Sequence, residues 1–320
     1  MGDPVSGRLS VVIPSCNEEE LISLTAQTLT DLLTREGVPF ELLFVDDGSR
    51  DRTWDEIQSA AARDDRVRGL RFSRNFGKEA AIFAGLANAG GDCCAVMDCD
   101  LQHPPEKLVE MYRLWQQGYE IVEGVKTDRG RESPIHGFCA RCFYRIISAA
   151  VHIDMSRASD FKLLDRKAVD VLLTIREKHA FFRALSSWVG YKTAAVEFDV
   201  QERAAGSSKW SGRKLTRYAI TNITSFSTAP MQVVTFLGFV TLLLSLVLSV
   251  VALYQKIAGT ALGGFTTVII VQLFIGSVVM ISLGIIGYYI AKIYEEVKGR
   301  PRFIVSATCG RGGQDAKITG

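Results

Sequence analysis

The feature that most constrains this chain is a long stretch near its C-terminus that almost lacks charge. Between Ala229 and Ala291 the only charged residue is Lys256. A helix needs about 20 consecutive apolar residues to cross the hydrocarbon core of a bilayer. We therefore predict two transmembrane helices, at about 231–254 and 265–291, that form a hairpin. The alternative is a buried helical hairpin in a soluble protein, which the length of the spans and their lack of charge disfavour.

The charges that flank the two spans predict their orientation. The intervening loop carries Lys256 alone, whereas Lys and Arg cluster outside the spans, at Arg213, Lys214, Arg217, Lys292, Lys298, Arg300 and Arg302. The positive-inside rule then places both termini and the N-terminal domain in the cytoplasm, so the chain is predicted to be a multi-pass protein of the cell (inner, cytoplasmic) membrane. Residues 213–229 are predicted to form an interfacial amphipathic segment. Residues 293–320 are predicted to be a cytoplasmic tail, disordered from Cys309 onward.

Residues 1–212 have the pattern of an α/β domain. Apolar strand-like runs at Leu9–Pro14, Phe40–Val45, Val67–Phe72 and Cys93–Met97 alternate with segments of helical periodicity. Such alternation predicts a mostly parallel sheet covered by helices on both faces. Ligands bind such sheets at the carboxyl ends of the strands, which is where the polar clusters of this sequence occur.

Composition excludes several other classes of protein. The net charge of +2 gives no indication of a nucleic-acid partner, and residues 1–9 do not resemble a secretory signal. The seven cysteines lack the spacing of a zinc finger, although Cys139 and Cys142 form an isolated C-x-x-C. Free thiols in a reducing compartment are the favoured interpretation.

The strongest chemical signal is the segment Met97–Pro105, in which Asp98 and Asp100 directly follow the fourth predicted strand. Two carboxylates at the end of a buried strand repel one another unless a cation lies between them. Oxygen ligands suit Mg²⁺ or Mn²⁺, and such an ion would neutralise a nucleotide diphosphate. A solvated acidic turn is the alternative, and the neighbouring motifs favour the metal site.

Two further polar segments follow strands. The segment Asp46–Asp51 offers a carboxylate that can accept a ring N–H from a nucleotide base, but turn and helix-cap chemistry would use the same residue types. The segment Pro14–Glu19 precedes a helix predicted from Glu18, whose backbone N–H groups can hold a nucleotide. Plain helix capping is the alternative there. For each segment, the spacing of the residues does not decide between nucleotide binding and local turn or cap chemistry.

A basic loop precedes the apolar stretch. Arg203 and Lys209 lie among Gly and Ser residues, just upstream of the predicted membrane interface. Such cations suit a phosphate that approaches from the bilayer. The alternative is that this basic segment beside the membrane is attracted to anionic lipids. The two interpretations are compatible with one another.

Taken together, these segments resemble the family 2 glycosyltransferases. The closer likeness is to the polyprenyl-phosphate glycosyltransferases, which include dolichol-phosphate mannose synthases and bactoprenol glucosyltransferases. It covers about residues 9–305, and six motifs occur in the expected order: SVVIPSCNEEE, FVDDGSRDRT, SRNFGKEAAIFAG, MDCDLQHPPE, SDFKLLDRKAV and ERAAGSSKW. The resemblance implies an α/β nucleotide-binding domain of the glycosyltransferase A type, followed by a C-terminal transmembrane hairpin.

The resemblance also implies roles for individual residues. The nucleoside would be lined by Pro14, Cys16, Glu18, Val45 and Asp47. The metal and the diphosphate would be held by Asp98, Asp100 and Gln102. Donor or acceptor phosphates would meet Arg203 and Lys209, and the nucleotide sugar would also be bound by Lys126, Arg129 and Arg131. Asp160 would lie near the acceptor, as a base or as a group that orients it.

The sequence departs from the family pattern at three positions. Cys16 replaces a usual Tyr, which weakens stacking on the base, and Cys99 replaces a usual Ala between the two aspartates. Ser159 precedes Asp160 where Gly is common. None of these changes removes a catalytic group.

The reaction implied is an inverting transfer of a sugar from a nucleotide donor onto polyprenyl (undecaprenyl) phosphate, with Mg²⁺ or Mn²⁺ as cofactor. UDP-glucose is the favoured donor, with GDP-mannose or a UDP-linked modified amino sugar as alternatives. The partners are the donor, the lipid phosphate and the bilayer, with no nucleic acid. Homo-oligomerisation is a further expectation, from small-residue faces around Gly276, Gly284 and Gly287. A membrane-tethered nucleotide-sugar sensor without turnover is the non-enzyme alternative.

Overall fold

The structure is a computed structural model that describes residues 7–127, 158–175, 177, 181–199, 229–259, 264–311 and 317–319. It divides into two compact units, one of residues 1–215 with 300–320 and one of residues 216–299. The strands of the first unit are β1 (Leu9–Ser15), β2 (Phe40–Asp46), β3 (Val67–Phe72), β4 (Cys93–Val96), β5 (Ile121–Lys126), β6 (Ala158–Asp165), β7 (Thr193–Phe198) and β8 (Val305–Cys309). Its helices are α1 (Ile22–Arg35), α2 (Thr53–Arg63), α3 (Lys78–Asn88), α4 (Pro105–Gln116), α5 (Arg166–Thr174) and α6 (Phe182–Trp188).

The strands form one mixed sheet in the order β7-β5-β6-β4-β1-β2-β3-β8. Strands β4, β1, β2 and β3 are parallel to one another, β6 runs antiparallel to β4 and β5, and β8 runs antiparallel to β3. From β1 the chain builds outward on one side through β2 and β3, and then returns to place β4 on the other side. The carboxyl ends of β1 and β4 therefore border a topological switch point, where α/β sheets bind their ligands.

Continuous apolar runs explain the central strands. In β1 (LSVVIPS) and β2 (FELLFVD) nearly every residue is buried, as expected for parallel strands covered on both faces. Helix α3 packs directly against β1, and Gly85 makes this approach possible. A Cβ atom at Gly85 would lie 2.1 Å from Cγ1 of Val12. This close packing fixes the position of the first residue of α3, Lys78.

One element boundary differs from that expected. Helix α1 begins at Ile22 rather than at Glu18, so its first turn carries no acidic residue. The four strands predicted from apolar runs are confirmed, as β1 to β4.

The expectation of a disordered tail from Cys309 onward is wrong for the described residues. Strand β8 pairs with β3, with Cys309 opposite Gly69, and Thr319 forms an isolated bridge with Ile304. Phe303 is buried and stacks on Phe72, with ring centroids 5.5 Å apart. The segment is short and polar, and two features hold it in place. It pairs with an open edge of the sheet, and the ring of Phe303 is buried.

The second unit contains two long helices, α7 (Ala229–Ile257) and α8 (Phe265–Val297). Each is long and apolar enough to cross a membrane, over Met231–Gln255 and Phe274–Val297. Their side chains are largely exposed, so they do not resemble the buried core helices of a soluble domain. The two helices are consistent with the predicted hairpin.

Candidate active site

The loop after β2 uses its polar residues in two different ways. Asp46 and Asp51 form local turns, since Oδ1 of Asp46 accepts from the N–H of Ser49 at 2.9 Å, and Oδ1 of Asp51 accepts from the hydroxyl of Thr53 at 2.6 Å. Asp47 instead points away from its own turn, towards the loop that precedes α3. Turn chemistry therefore explains Asp46 and Asp51, and leaves Asp47 as the carboxylate available for another role.

Asp47 is held by backbone N–H groups of the motif SRNFG. Its Oδ1 accepts from the N–H of Phe76 at 2.6 Å, and its Oδ2 accepts from the N–H of Gly77 at 2.9 Å. The side chain is almost fully buried, and this burial, which outweighs the two hydrogen bonds, raises the pKa of Asp47 to about 6. Gly48, at φ +63°, permits the contact, because a Cβ there would lie 2.5 Å from the carbonyl carbon of Arg74.

The segment after β1 packs against the same loop. The N–H groups of Asn17 and Glu18 donate to the hydroxyls of Ser49 and Thr53, both at 2.8 Å, and the N–H of Glu19 donates to Asp51 at 3.4 Å. These N–H groups were expected to hold a nucleotide at a helix start. The structure uses them for hydrogen bonds between the two loops instead, several residues before α1 begins.

Not all of the residues predicted to line the nucleoside have side chains that reach the surface beside Asp47. Sγ of Cys16 lies 3.8 Å from the carbonyl oxygen of Asp47 and accepts from the amide of Asn75 at 3.4 Å. Pro14 pairs with Val45 in the β1–β2 register, but Val45 is fully buried in the sheet. Its side chain therefore offers no surface to a nucleoside, because it points into the core.

The segment after β4 carries the predicted metal ligands. Asp98 and Asp100 are half-buried, and Leu101 adopts a left-handed backbone conformation at φ +53° that turns the chain sharply. Oδ1 of Asp100 accepts from the N–H of Gln102 at 3.2 Å. The next residue, His103, is buried and stacks on Phe161 of β6 at 4.8 Å, which ties this turn to the strand that carries Asp160.

A lysine that the sequence reasoning missed joins the two carboxylates of β4 and β6. Nζ of Lys78 lies 2.6 Å from Oδ1 of Asp98 and 2.9 Å from Oδ2 of Asp160. Burial alone would raise the pKa of each carboxyl, but the ammonium outweighs it and lowers the pKa of both below the usual range. A cation of the protein itself thus lies between Asp98 and Asp160, whereas the predicted repulsion concerned Asp98 and Asp100.

A second missed cation completes this arrangement. Nε of Arg183, from α6, lies 3.1 Å from Oδ1 of Asp160. Two contacts fix α6 there: Glu79 accepts from the N–H of Phe182 at 2.9 Å, and the buried Lys162 donates to the carbonyl of Arg183 at 3.2 Å. Asp160 is therefore an ionised carboxylate between two cations, rather than a free base.

Of the other predicted phosphate-binding or nucleotide-binding cations, one lies within the described residues and four lie outside them. Lys126 ends β5 and is half-buried; burial and the nearby Arg183 lower its pKa. Arg129, Arg131, Arg203 and Lys209 lie outside the described residues. Motif position alone could have pointed to Lys78, which belongs to the quoted motif SRNFGKEAAIFAG, whereas no pattern singled out Arg183.

The described residues fit the predicted divalent metal ion. Asp98, Asp100 and Gln102 supply hard oxygen donors at a partly exposed turn, and Asp98 is already paired with a cation, the Lys78 ammonium. Among the described residues no cluster of three or more His, Cys, Asp or Glu side chains has the geometry of a metal site. Two carboxylates and an amide would leave positions open for phosphate oxygens and water, as Mg²⁺ requires.

Comparisons with known proteins identify the family of this chain. The family model described as glycosyl transferase family 2 matches residues 10–170. The uncharacterised glycosyltransferase YkcC of Bacillus subtilis is 38% identical over 303 residues, which cover 94% of each chain. The bactoprenol glucosyl transferase of Shigella phage SfII is 35% identical over 300 residues, which cover 93% of this chain and 97% of that protein.

One solved structure shares the fold. It is glucosyl-3-phosphoglycerate synthase from Mycobacterium tuberculosis, crystallised in complex with Mn²⁺, UDP and phosphoglyceric acid. It is similar with a TM-score of 0.50 at 19% identity, over 68% of this chain and 78% of that chain. The likeness confirms the predicted glycosyltransferase A-type sheet. The family match and the full-length relatives show that the chain belongs to glycosyl transferase family 2.

Proposed function

We propose that this chain transfers a sugar, glucose from UDP-glucose in the first instance, onto polyprenyl phosphate at the cytoplasmic face of the cell membrane. The observation that carries the proposal is the convergence of Asp98 and Asp160 on one ammonium beside the switch point of the sheet. The full-length likeness to bactoprenol glucosyl transferases supports the lipid acceptor and the sugar. The two apolar helices support a site that works at a bilayer.

The donor would bind across the carboxyl ends of β1, β2 and β4. Asp47, in its ionised form, accepts a ring N–H of the base, while Pro14, Cys16 and Glu18 line the nucleoside. Uracil and guanine both offer such an N–H, so this contact does not select between UDP-glucose and GDP-mannose. The diphosphate then lies towards Asp98 and Asp100, with Lys126, Arg129 and Arg131 as further cations on the side of β5.

The metal site would consist of Asp98, Asp100 and Gln102. A divalent ion bound there supplies electrostatic stabilisation of the charge that develops on the departing diphosphate. Asp98 and Asp100 would hold that ion beside the diphosphate, and the cationic side chains would add further positive charge there. Mn²⁺ in the fold relative of known structure supports a divalent ion of this kind.

Transfer itself would be a direct displacement. An oxygen of the lipid phosphate attacks the anomeric carbon, the bond from this carbon to the diphosphate breaks, and its electron pair leaves with the nucleoside diphosphate. The product has inverted configuration. The second pKa of a phosphate monoester is about 6, so the acceptor is largely ionised at neutral pH and needs little help from a base. Asp160 therefore holds Lys78 and Arg183 in place, and these cations, with Arg203 and Lys209, orient the acceptor.

The decisive experiment uses purified full-length protein with undecaprenyl phosphate, Mg²⁺ or Mn²⁺ and a panel of UDP- and GDP-sugars. Nucleoside diphosphate release and the mass of the lipid product are followed together. We expect a lipid-linked hexose from UDP-glucose that EDTA abolishes. If a lipid product forms only from GDP-mannose or only from an amino-sugar donor, that compound is the donor and UDP-glucose is not. Donor binding without any lipid product would instead support the sensor.

A further inference from the structure

We propose that the Lys78 ammonium neutralises Asp98 while the metal site is empty. A divalent ion then binds Asp98 only after this ammonium has moved away from it. The inference rests on the metal site proposed above and adds a regulatory property to it. It predicts that the bare metal ion binds weakly, and that the metal ion and the nucleoside diphosphate bind cooperatively.

The geometry makes the two cations competitors for the same oxygens. Nζ of Lys78 lies 2.6 Å from Oδ1 and 2.9 Å from Oδ2 of Asp98. The ammonium therefore faces both oxygens of this carboxylate. A magnesium ion needs to approach a carboxylate oxygen to about 2.1 Å and demands near-octahedral geometry. It cannot share this face of Asp98 with an ammonium at hydrogen-bond distance.

Charge balance favours the lysine when no ligand is bound. Within the contact network, the carboxylates Asp98 and Asp160 are matched by the cations Lys78 and Arg183. A divalent ion alone adds two positive charges beside a network in which these four charges already balance. A diphosphate that arrives with the ion brings the compensating negative charge. Binding of either ligand should therefore strengthen binding of the other, by the same factor.

Local structure allows the ammonium to leave while the backbone stays fixed. Lys78 is the first residue of α3, and the preceding Gly77 is anchored because its N–H donates to Asp47. The Lys78 side chain is 42% exposed, so its flexible stem can turn outward without opening the core. The contact with Asp160 can persist after Asp98 has been released, because it uses a different carboxylate.

The test measures Mn²⁺ binding by electron paramagnetic resonance on full-length protein, with and without UDP, after correction for the Mn²⁺–UDP complex in solution. We expect Lys78→Met to bind Mn²⁺ alone about tenfold more tightly than the wild type, and to gain less from UDP. Lys78→Arg, which keeps the charge, should bind as weakly as the wild type. The matched control is Lys107→Met, which removes a surface ion pair with Glu110 and should change nothing.

The outcomes separate this inference from the proposed function. Unchanged Mn²⁺ affinity and unchanged coupling in Lys78→Met would overturn the competition, provided that Asp98→Asn still weakens Mn²⁺ binding. If Asp98→Asn has no effect either, the metal site itself is misplaced, and the proposed function loses its support. If Lys78→Met fails to fold, as judged by thermal unfolding, Lys78→Gln carries the same prediction.

Discussion

Asp160 illustrates how neighbours influence the role that a carboxylate of the candidate site can have. The sequence left two roles open, a base or a group that orients the acceptor. Contacts with Lys78 and Arg183 lower the pKa of Asp160 well below its usual range, although burial opposes this. A carboxylate that is so reluctant to take a proton is a weak base at neutral pH, which favours the orienting role.

Substitution distinguishes the two roles of Asp160. We expect Asp160→Asn to lower turnover about tenfold, whereas Asp98→Asn should lower it by about 100-fold or more, because it removes a ligand of the metal ion that would stabilise the leaving diphosphate. The measurement is the rate of nucleoside diphosphate release with saturating lipid phosphate. Asp170→Asn, at an exposed position of α5, is the control. Complete loss of turnover in Asp160→Asn, with a changed pH profile, would restore the base role.

Asp47 gives the site a pH dependence. Burial raises its pKa to about 6, and the ionised form is the stronger acceptor for an N–H of a base. UDP-glucose has no ionisable group in this range, so we expect its affinity to rise as the pH increases through about 6. Asp47→Asn should bind donor weakly at every pH. Because the pKa of Glu79 is also raised, to about 7, the difference between the two proteins is the quantity to measure, by calorimetry.

The same group has the opposite effect on folding. A carboxyl whose pKa is raised in the folded state contributes stability that is fully present below its unfolded pKa and is lost as the pH rises through about 6. A shift of this size corresponds to about 3 kcal/mol. The protein therefore gives up stability to keep a buried carboxylate ionised at neutral pH, as is common for groups that bind ligands.

At the scale of elements, the sequence predicted those strands and helices whose formation depends on the pattern of apolar and polar residues within the segment itself. The continuous apolar runs of β1, β2 and β4 and the turn residues that follow them predicted both the parallel sheet and the edge where the site lies. Lys78 was missed as a site residue because its partners, Asp98 and Asp160, are 20 and 82 residues away. Strand β8 was missed because VSATC has no strong pattern, and its order depends on a sheet edge more than 200 residues earlier.

Strand β8 links the chain after the apolar helices to the loop of the proposed donor site. The carbonyl of Ile304 accepts from the N–H of Ser73 at 3.0 Å, and Phe72 packs between Phe303 and Phe76. Phe76 is the residue whose N–H binds Asp47 at 2.6 Å. Support from β8 therefore reaches the loop that holds the proposed base-binding carboxylate.

Removal of the Phe303 ring tests this link. We expect Phe303→Ala to destabilise the first unit by about 3–5 kcal/mol, since it leaves a cavity beside Phe72. It should also weaken UDP-glucose binding at temperatures where the protein is still folded. Thermal unfolding and donor affinity are the two measurements, with Ile318→Ala, at an exposed position of the same tail, as control. Normal donor affinity in a destabilised Phe303→Ala protein would show that β8 supports the fold alone.

At the scale of the whole molecule, orientation in the membrane decides which substrates the site can reach. A nucleotide sugar is made in the cytoplasm, so the first unit must face it for the proposed reaction to occur. The charges around the apolar stretch predict this orientation, with Lys256 alone between the spans and Lys298, Arg300 and Arg302 after the second one. Nothing in the fold of the first unit fixes this orientation, so it stays a prediction.

Thiol labelling in intact cells tests the orientation directly. We expect a membrane-impermeant maleimide to label Ala258→Cys, in the loop between the spans, without any disruption of the cells. Val297→Cys, at the end of α8, should be labelled only after the membranes are opened, because it lies on the cytoplasmic side. Both positions are exposed, so access to the reagent depends on the membrane and not on the fold. The reverse pattern would place the site away from its donor, and a cytoplasmic glycosyl transfer onto lipid phosphate would then be untenable.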